Sequence, residues 1–192
     1  MVKQVPSIIR RLRLISAFKG YNPGLLDCVD FSTDPEIHVV DDDVLKVSRF
    51  AGNTEDLNGA FTALNPSQKL ICLLSIDNKL MRSVPDGIAD CALFDDHQFA
   101  FIEFKSNAQG NTLTSIRETY EKAISQIEHT LSVFKQKIEV VGLDFIELAD
   151  VVGIVVVSST FPRMNAMEQN YVVDFALRTG VELSFDNEMM FS

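Results

Sequence analysis

The chain has 192 residues and a formal net charge of −10, with 46% hydrophobic and 23% charged residues. That length suits one domain with a real core, and the acidity argues against a general nucleic-acid binder, because phosphate contacts dominate such affinity. No apolar run approaches 18 residues, so no membrane-spanning helix is expected, and Cys28, Cys72 and Cys91 lack the spacing of a structural zinc site.

The charge is unevenly spread. Residues 1–20 carry Lys3, Arg10, Arg11, Arg13 and Lys19 and no acid. Ser7 to Phe18 has apolar residues at 8, 9, 12, 14, 15 and 18, which predicts an amphipathic helix with Arg10, Arg11 and Arg13 outside. Such a helix can contact phosphate, dock on an acidic protein surface, its own included, or face water. The N-terminus has no signal-peptide layout, and the cysteines read as reduced thiols, so a cytoplasmic location is expected. Gly20 to Asp30 reads as a loop. Ile37–Val40 and Val44–Phe50 flank Asp41-Asp42-Asp43, a hairpin whose aspartates favour an exposed turn over a metal site. Asn53 to Leu64 is predicted as a helix capped by Thr54, with Glu55 and Asp56 in its first turn. Ser67 to Leu74, running on to Leu80, is predicted as a second helix.

Residues 85–105 organise the rest. Two apolar runs, Ile88 to Phe94 and Phe99 to Phe104, flank Asp95-Asp96-His97-Gln98, the pattern of a β-hairpin with a four-residue loop. If Phe94 pairs with Phe99, Ala92 faces Phe101 and Asp90 faces Glu103. Lys105 then shares the Glu103 face, because side chains alternate along a strand. Like charges opposite each other destabilise a strand pair, and apolar neighbours strengthen the repulsion by lowering the local dielectric. Lys105 compensates part of it. A divalent cation would compensate more, and hard oxygen ligands suit Mg²⁺ or Mn²⁺ better than zinc.

After a polar loop at Ser106–Thr112, the three-and-four spacing of Leu113, Ile116, Tyr120, Ile124, Ile127, Leu131, Phe134 and Ile138 predicts a long helix from about Thr114 to Ile138. Gln126 lies beside that seam. Asp150 to Ser158 reads as a strand buried on both faces, so strand, helix and strand suggest a crossover onto one sheet. Arg163 falls in a loop, Gln169–Leu177 reads as a short helix, and Val181–Phe185 as a last strand.

An Asp on one strand followed by Glu103-Phe104-Lys105 on the next resembles the core of the PD-(D/E)xK nuclease superfamily, the restriction-endonuclease-like fold. The resemblance extends to Gln126 in Ala123-Ile124-Ser125-Gln126-Ile127, and covers about residues 85–160. It implies an α/β fold of three layers over 1–192, a mixed central sheet flanked by helices. It also implies a metal-dependent nuclease acting on nucleic acid, DNA ahead of RNA, with a homodimer as one arrangement. Asp90, Glu103 and the Phe104 carbonyl would hold Mg²⁺ or Mn²⁺. Lys105 would orient or deprotonate water, or neutralise charge, and Gln126 would position water or phosphate. Asp86, from a typical Asp-Gly turn, is the second choice for the first acid, and Glu55 or Asp77 would supply a further one. Arg10, Arg11 and Arg13 are the nucleic-acid contacts that the basic helix offers. The competing reading is a non-catalytic module of the same fold that binds or regulates through protein contacts. Neither G-x-S-x-G nor a GxxxxGK phosphate loop occurs.

Overall fold

The computed structural model describes residues 6–82, 84–85 and 87–191; Lys3 and Asp86 lie outside them. The fold is α/β, with two mixed sheets and helices. Six strands form one sheet: β1 (Val29–Ser32), β5 (Ile71–Ser75), β6 (Cys91–Phe94), β7 (Gln98–Lys105), β8 (Asp150–Val157) and β9 (Glu182–Ser184), adjacent in that order. The second sheet orders β10 (Glu188–Met190), β4 (Phe61–Leu64), β2 (Glu36–Asp42) and β3 (Val47–Phe50).

Alternation along the central strands sorts residues into two cores. Ala92, Phe94, Phe99, Phe101, Val155 and Val157 face helix α3 (Leu113–Val140) and the short helices around it. Cys91, Leu93, Ala100, Ile102, Phe104, Ile154 and Val156 face the four-stranded sheet through Val39, Phe61 and Ala63. Strands β5, β6 and β7 are therefore covered on both faces, which explains their near-continuous apolar runs. Phe134 on α3 sits among Phe18, Phe99, Phe101 and Phe145, with ring centroids 4.4–6.1 Å away. Helix α3 begins at a capping box between Thr112 and Ser115.

The hairpin has the predicted register, Ala92 opposite Phe101 and Phe94 opposite Phe99, and β7 lies parallel to β8 after the long helix. Other expectations are corrected. Residues 53–64 are a turn followed by strand β4, whose alternating burial fits a sheet. Residues 67–80 contain strand β5, and a short apolar run buried on both faces has no periodicity to distinguish it from a helix. The basic segment is two short helices, α1 (Ser7–Arg11) and α2 (Leu14–Ala17), with Arg13 in the left-handed region between them. Ile8, Ile9, Leu12, Leu14 and Phe18 are all buried. The step from 12 to 14 breaks the helical period, so the chain turns there to bury both groups. Helix α4 (Phe145–Leu148) and strands β1 and β10 lie where no element was predicted, and α5 (Asn165–Thr179) is longer than predicted. No helix among the described residues is long and apolar enough to cross a membrane.

Phe134→Ala should cost about 3–5 kcal/mol in urea denaturation, because it opens a cavity among four rings. A loss below about 1 kcal/mol would contradict this packing.

Candidate active site

The site is assembled where β6 begins and β7 ends. Three residues on about one turn of α3 hold the segment that leads into β6. The Gln126 amide donates from Nε2 to the Ile88 carbonyl at 3.1 Å. His129 Nδ1 lies 2.9 Å from the Gly87 carbonyl. The Ala89 amide donates to the buried Thr130 hydroxyl at 2.7 Å. Gly87 has φ +76°, and a Cβ there would stand 3.1 Å from Gln126 Cγ, so both backbone and space call for glycine.

Asp90 follows directly. Its carbonyl accepts from the amides of Ile76 (2.9 Å) and Asp77 (3.2 Å), and its carboxylate accepts from the Phe104 amide at 2.7 Å. The ladder of β6 starts one residue later, at Cys91. The expected direct rung of Asp90 against Glu103 is thus replaced by an Asp90 carboxylate turned onto the β7 backbone. Glu103 is only 1% exposed. One oxygen takes the Lys105 ammonium; the other, Oε2, is buried without a hydrogen-bond partner among the described residues. Lys105 also donates to Gln126 Oε1 at 2.9 Å. Gln126 thus spends its carbonyl on Lys105 and its amino group on Ile88, which makes it a positioning residue for the lysine.

The electrostatics follow from burial. Desolvation pushes the Asp90 carboxyl up to about 7, with Asp41 and Asp77 adding to the rise and the Phe104 amide and Lys105 opposing it. Desolvation and then the Asp90 charge push Glu103 well above the ordinary carboxylate range, against Lys105. Asp77, one of the suggested extra acids, does lie beside Asp90, at the end of β5 and not on a helix; its carboxylate accepts from Asn78 at 2.9 Å. Glu55 is taken up by Arg49 and the Gly52 amide, which hold it down to about 2, so it is not free to serve as a third acid. Asp86 lies outside the described residues.

Asp41 was expected in an exposed turn, and here the structure differs. It lies in β2 opposite Ser48, whose carbonyl accepts from Ser75 of β5 at 2.8 Å, and Ser75 in turn pairs with Cys91 next to Asp90. Burial, then Asp43 and Asp77, raise its carboxyl. The sequence carried only one signal for this, an acid in even alternation with Ile37 and Val39. Among the described residues, no three His, Cys, Asp or Glu side chains form a ready-made metal cage.

The three arginines do not reach this site. Arg11 donates to the carbonyls of Asp96 and Leu148, and Arg13 to that of Val141. Arg10 lines a cavity beside Asp95 and Asp96. Asp96 is at the hairpin turn, and the length of β7 separates it from Lys105 by roughly 23 Å. The basic segment is docked on the protein's own surface. Arg163 pairs with Glu168 at 2.8 and 2.9 Å.

No family profile matches this chain, and no curated protein or solved structure matches it either.

A folded-state carboxyl raised from 3.8 to about 7 keeps its proton where the unfolded chain has lost it. Its contribution to stability is therefore present at acid pH and is lost as pH rises through that interval, by up to about 1.4 kcal/mol per unit. In EDTA, urea denaturation should show Asp90→Asn losing less stability than wild type between acid and neutral pH, and being the more stable at neutral pH. Parallel profiles would contradict the burial of Asp90.

Proposed function

We propose that the chain is a metal-dependent nuclease of the PD-(D/E)xK type, with a restriction-endonuclease-like arrangement of its layers, that hydrolyses phosphodiester bonds in nucleic acid, DNA ahead of RNA. One observation carries the reading: Asp90 and Lys105 both lie close enough to Glu103 for their charges to act on it, and Glu103 Oε2 is buried there without a hydrogen-bond partner among the described residues. A buried carboxylate oxygen without a hydrogen bond is costly, and its placement beside a second carboxylate is an arrangement that a bound cation would relieve.

The residues fit a hard divalent cation. All the donors are oxygen, and two carboxylates with one ammonium leave net negative charge at the site. Asp90 and Glu103, with the Phe104 carbonyl, would hold it, and when bound it would supply charge neutralisation and a more acidic water. Lys105 is steered by Gln126 and Glu103 into the cluster. There its ammonium would stabilise negative charge developing on a phosphate oxygen. Gln126 acts through Lys105, and Asp77 and Asp41 add to the negative field that favours a cation.

A second reading, a non-cutting module of the same fold, is favoured by the net charge of −10 and by the lack of a three-ligand cage among the described residues. Cleavage of single- and double-stranded DNA and RNA in Mg²⁺ and Mn²⁺ separates the two. Wild type should cut, and Asp90→Ala, Glu103→Gln and Lys105→Ala should each lower the rate by about 10²-fold or more. Gln126→Ala should lose less, and Arg11→Ala should destabilise the fold while leaving cleavage intact. Cutting that survives Asp90→Ala and Lys105→Ala, or no metal-dependent cutting by wild type, would overturn the nuclease reading.

A further inference from the structure

Strand β2 and the turn after it bring Asp41, Asp42 and Asp43 towards Asp77 and Asp90. Most of these acids already have partners. Asp42 accepts from the Val44 and Leu45 amides at 2.9 and 2.8 Å through one oxygen, and from Arg49 at 2.7 Å through the other. Asp43 accepts from Asn107 at 2.6 Å. Asp77 takes the Asn78 amide and side chain on its two oxygens, each at 2.9 Å. Asp41 differs: among the described residues its half-buried carboxylate accepts no hydrogen bond and forms no ion pair. The cations around it are committed, Arg49 to Asp42 and Glu55, Lys105 to Glu103 and Gln126, and Lys46 to Asp43 at 3.9 Å.

Asp41 also points inward. It alternates with Ile37 and Val39, which are buried between the sheets. Its rung partner Ser48, on the same face, is 1% exposed. The Ser48 carbonyl accepts from Ser75, and Ser75 pairs with Cys91, which faces the four-stranded sheet directly after Asp90. Glu103 comes from the other side, because it alternates with Phe101 and shares with Lys105 the face towards α3. Asp90 therefore stands between Glu103 on the helix side and Asp41 on the side of the four-stranded sheet. Both flanking acids have oxygen to spare: Glu103 Oε2 is buried without a partner among the described residues, and Asp41 has none at all there.

We propose that Asp41 is an outer ligand of the cation held by Asp90 and Glu103, accepting a hydrogen bond from a water on that cation and orienting it from the side of the four-stranded sheet. This rests on the cation site of the nuclease reading. Mg²⁺ keeps several of its waters and takes only one or two carboxylates directly. That habit fits a set of acids that forms no three-ligand cage among the described residues. A carboxylate one water away from the ion still feels its charge, and partners of this kind fix what the metal holds. Asp41 is thus a positioning residue supplied by the second sheet.

The test titrates the full chain with Mn²⁺ and reads the free ion by its EPR signal. Asp41→Asn should bind about 10- to 100-fold more weakly than wild type. Asp43→Asn, which removes an exposed carboxylate already tied to Asn107, should bind as wild type does, and Asp90→Asn should not bind. In EDTA, Asp41→Asn should be no less stable to urea than wild type, because it loses no hydrogen bond. Wild-type affinity in Asp41→Asn, or an equal loss in Asp43→Asn, would overturn the assignment. Complete loss in Asp41→Asn would make it a direct ligand and overturn the intervening water, and lower stability in EDTA would make it a structural residue instead. No binding by wild type would remove the cation site and Asp41's part in it. Binding weakened by Asp41→Asn in a chain that cuts no nucleic acid would remove the nuclease reading and leave Asp41 as a ligand, whereas metal-dependent cutting with undiminished binding by Asp41→Asn would do the reverse.

Discussion

Two carboxylates, Asp90 and Glu103, are held close to one another in a largely dry position, with a single ammonium from Lys105 to offset them. Apolar strands covered on both faces make that position dry, and the hairpin register makes the carboxylates neighbours. Each feature of the site can be traced to this conflict. Asp90 turns onto the Phe104 amide, Lys105 bends back to Glu103, and both carboxyls titrate high. A protein selected for stability alone would gain by replacing such a group with an apolar one of similar volume. On the function proposed above, the arrangement is a place where charge is stored for a ligand.

Helix α3 is the second half of the arrangement. Its apolar seam fixes it against Phe99 and Phe101, and that fixed height brings Gln126, His129 and Thr130 level with residues 87–89. The stretch before Asp90 is outside the ladder, so these side chains hold it in place of a neighbouring strand. Gly87 allows the close approach. The site is thus supported from a rigid helix, as a preorganised site requires.

Much of this was legible in the sequence, for a physical reason. The hairpin, the long helix and β8 are governed by strong local patterns: period two around a polar turn, period 3.6 for seven turns, and a β-branched run. Asp90, Glu103, Lys105 and Gln126 sit on those elements, so their meeting could be foreseen. The four-stranded sheet and strand β5 were less legible. Residues 61–64 and 71–75 are short apolar runs whose state depends on what packs above and below them. The part played by Asp41 depends on that sheet lying across β5, a long-range contact with no local signature. A cationic face looks the same in sequence whether it meets phosphate or, as for Arg11 and Arg13 here, the carbonyls of Asp96, Leu148 and Val141.

The most direct test of the stored-charge account is a calorimetric titration of the full chain with Mn²⁺ in metal-free buffer, alongside Asp90→Asn and Lys105→Met. Lys105 and the cation compete for Glu103, so wild type should bind, Asp90→Asn should not, and Lys105→Met should bind more tightly than wild type. Failure of wild type to bind, or equal binding by all three proteins, would contradict the claim that these carboxylates form a cation site.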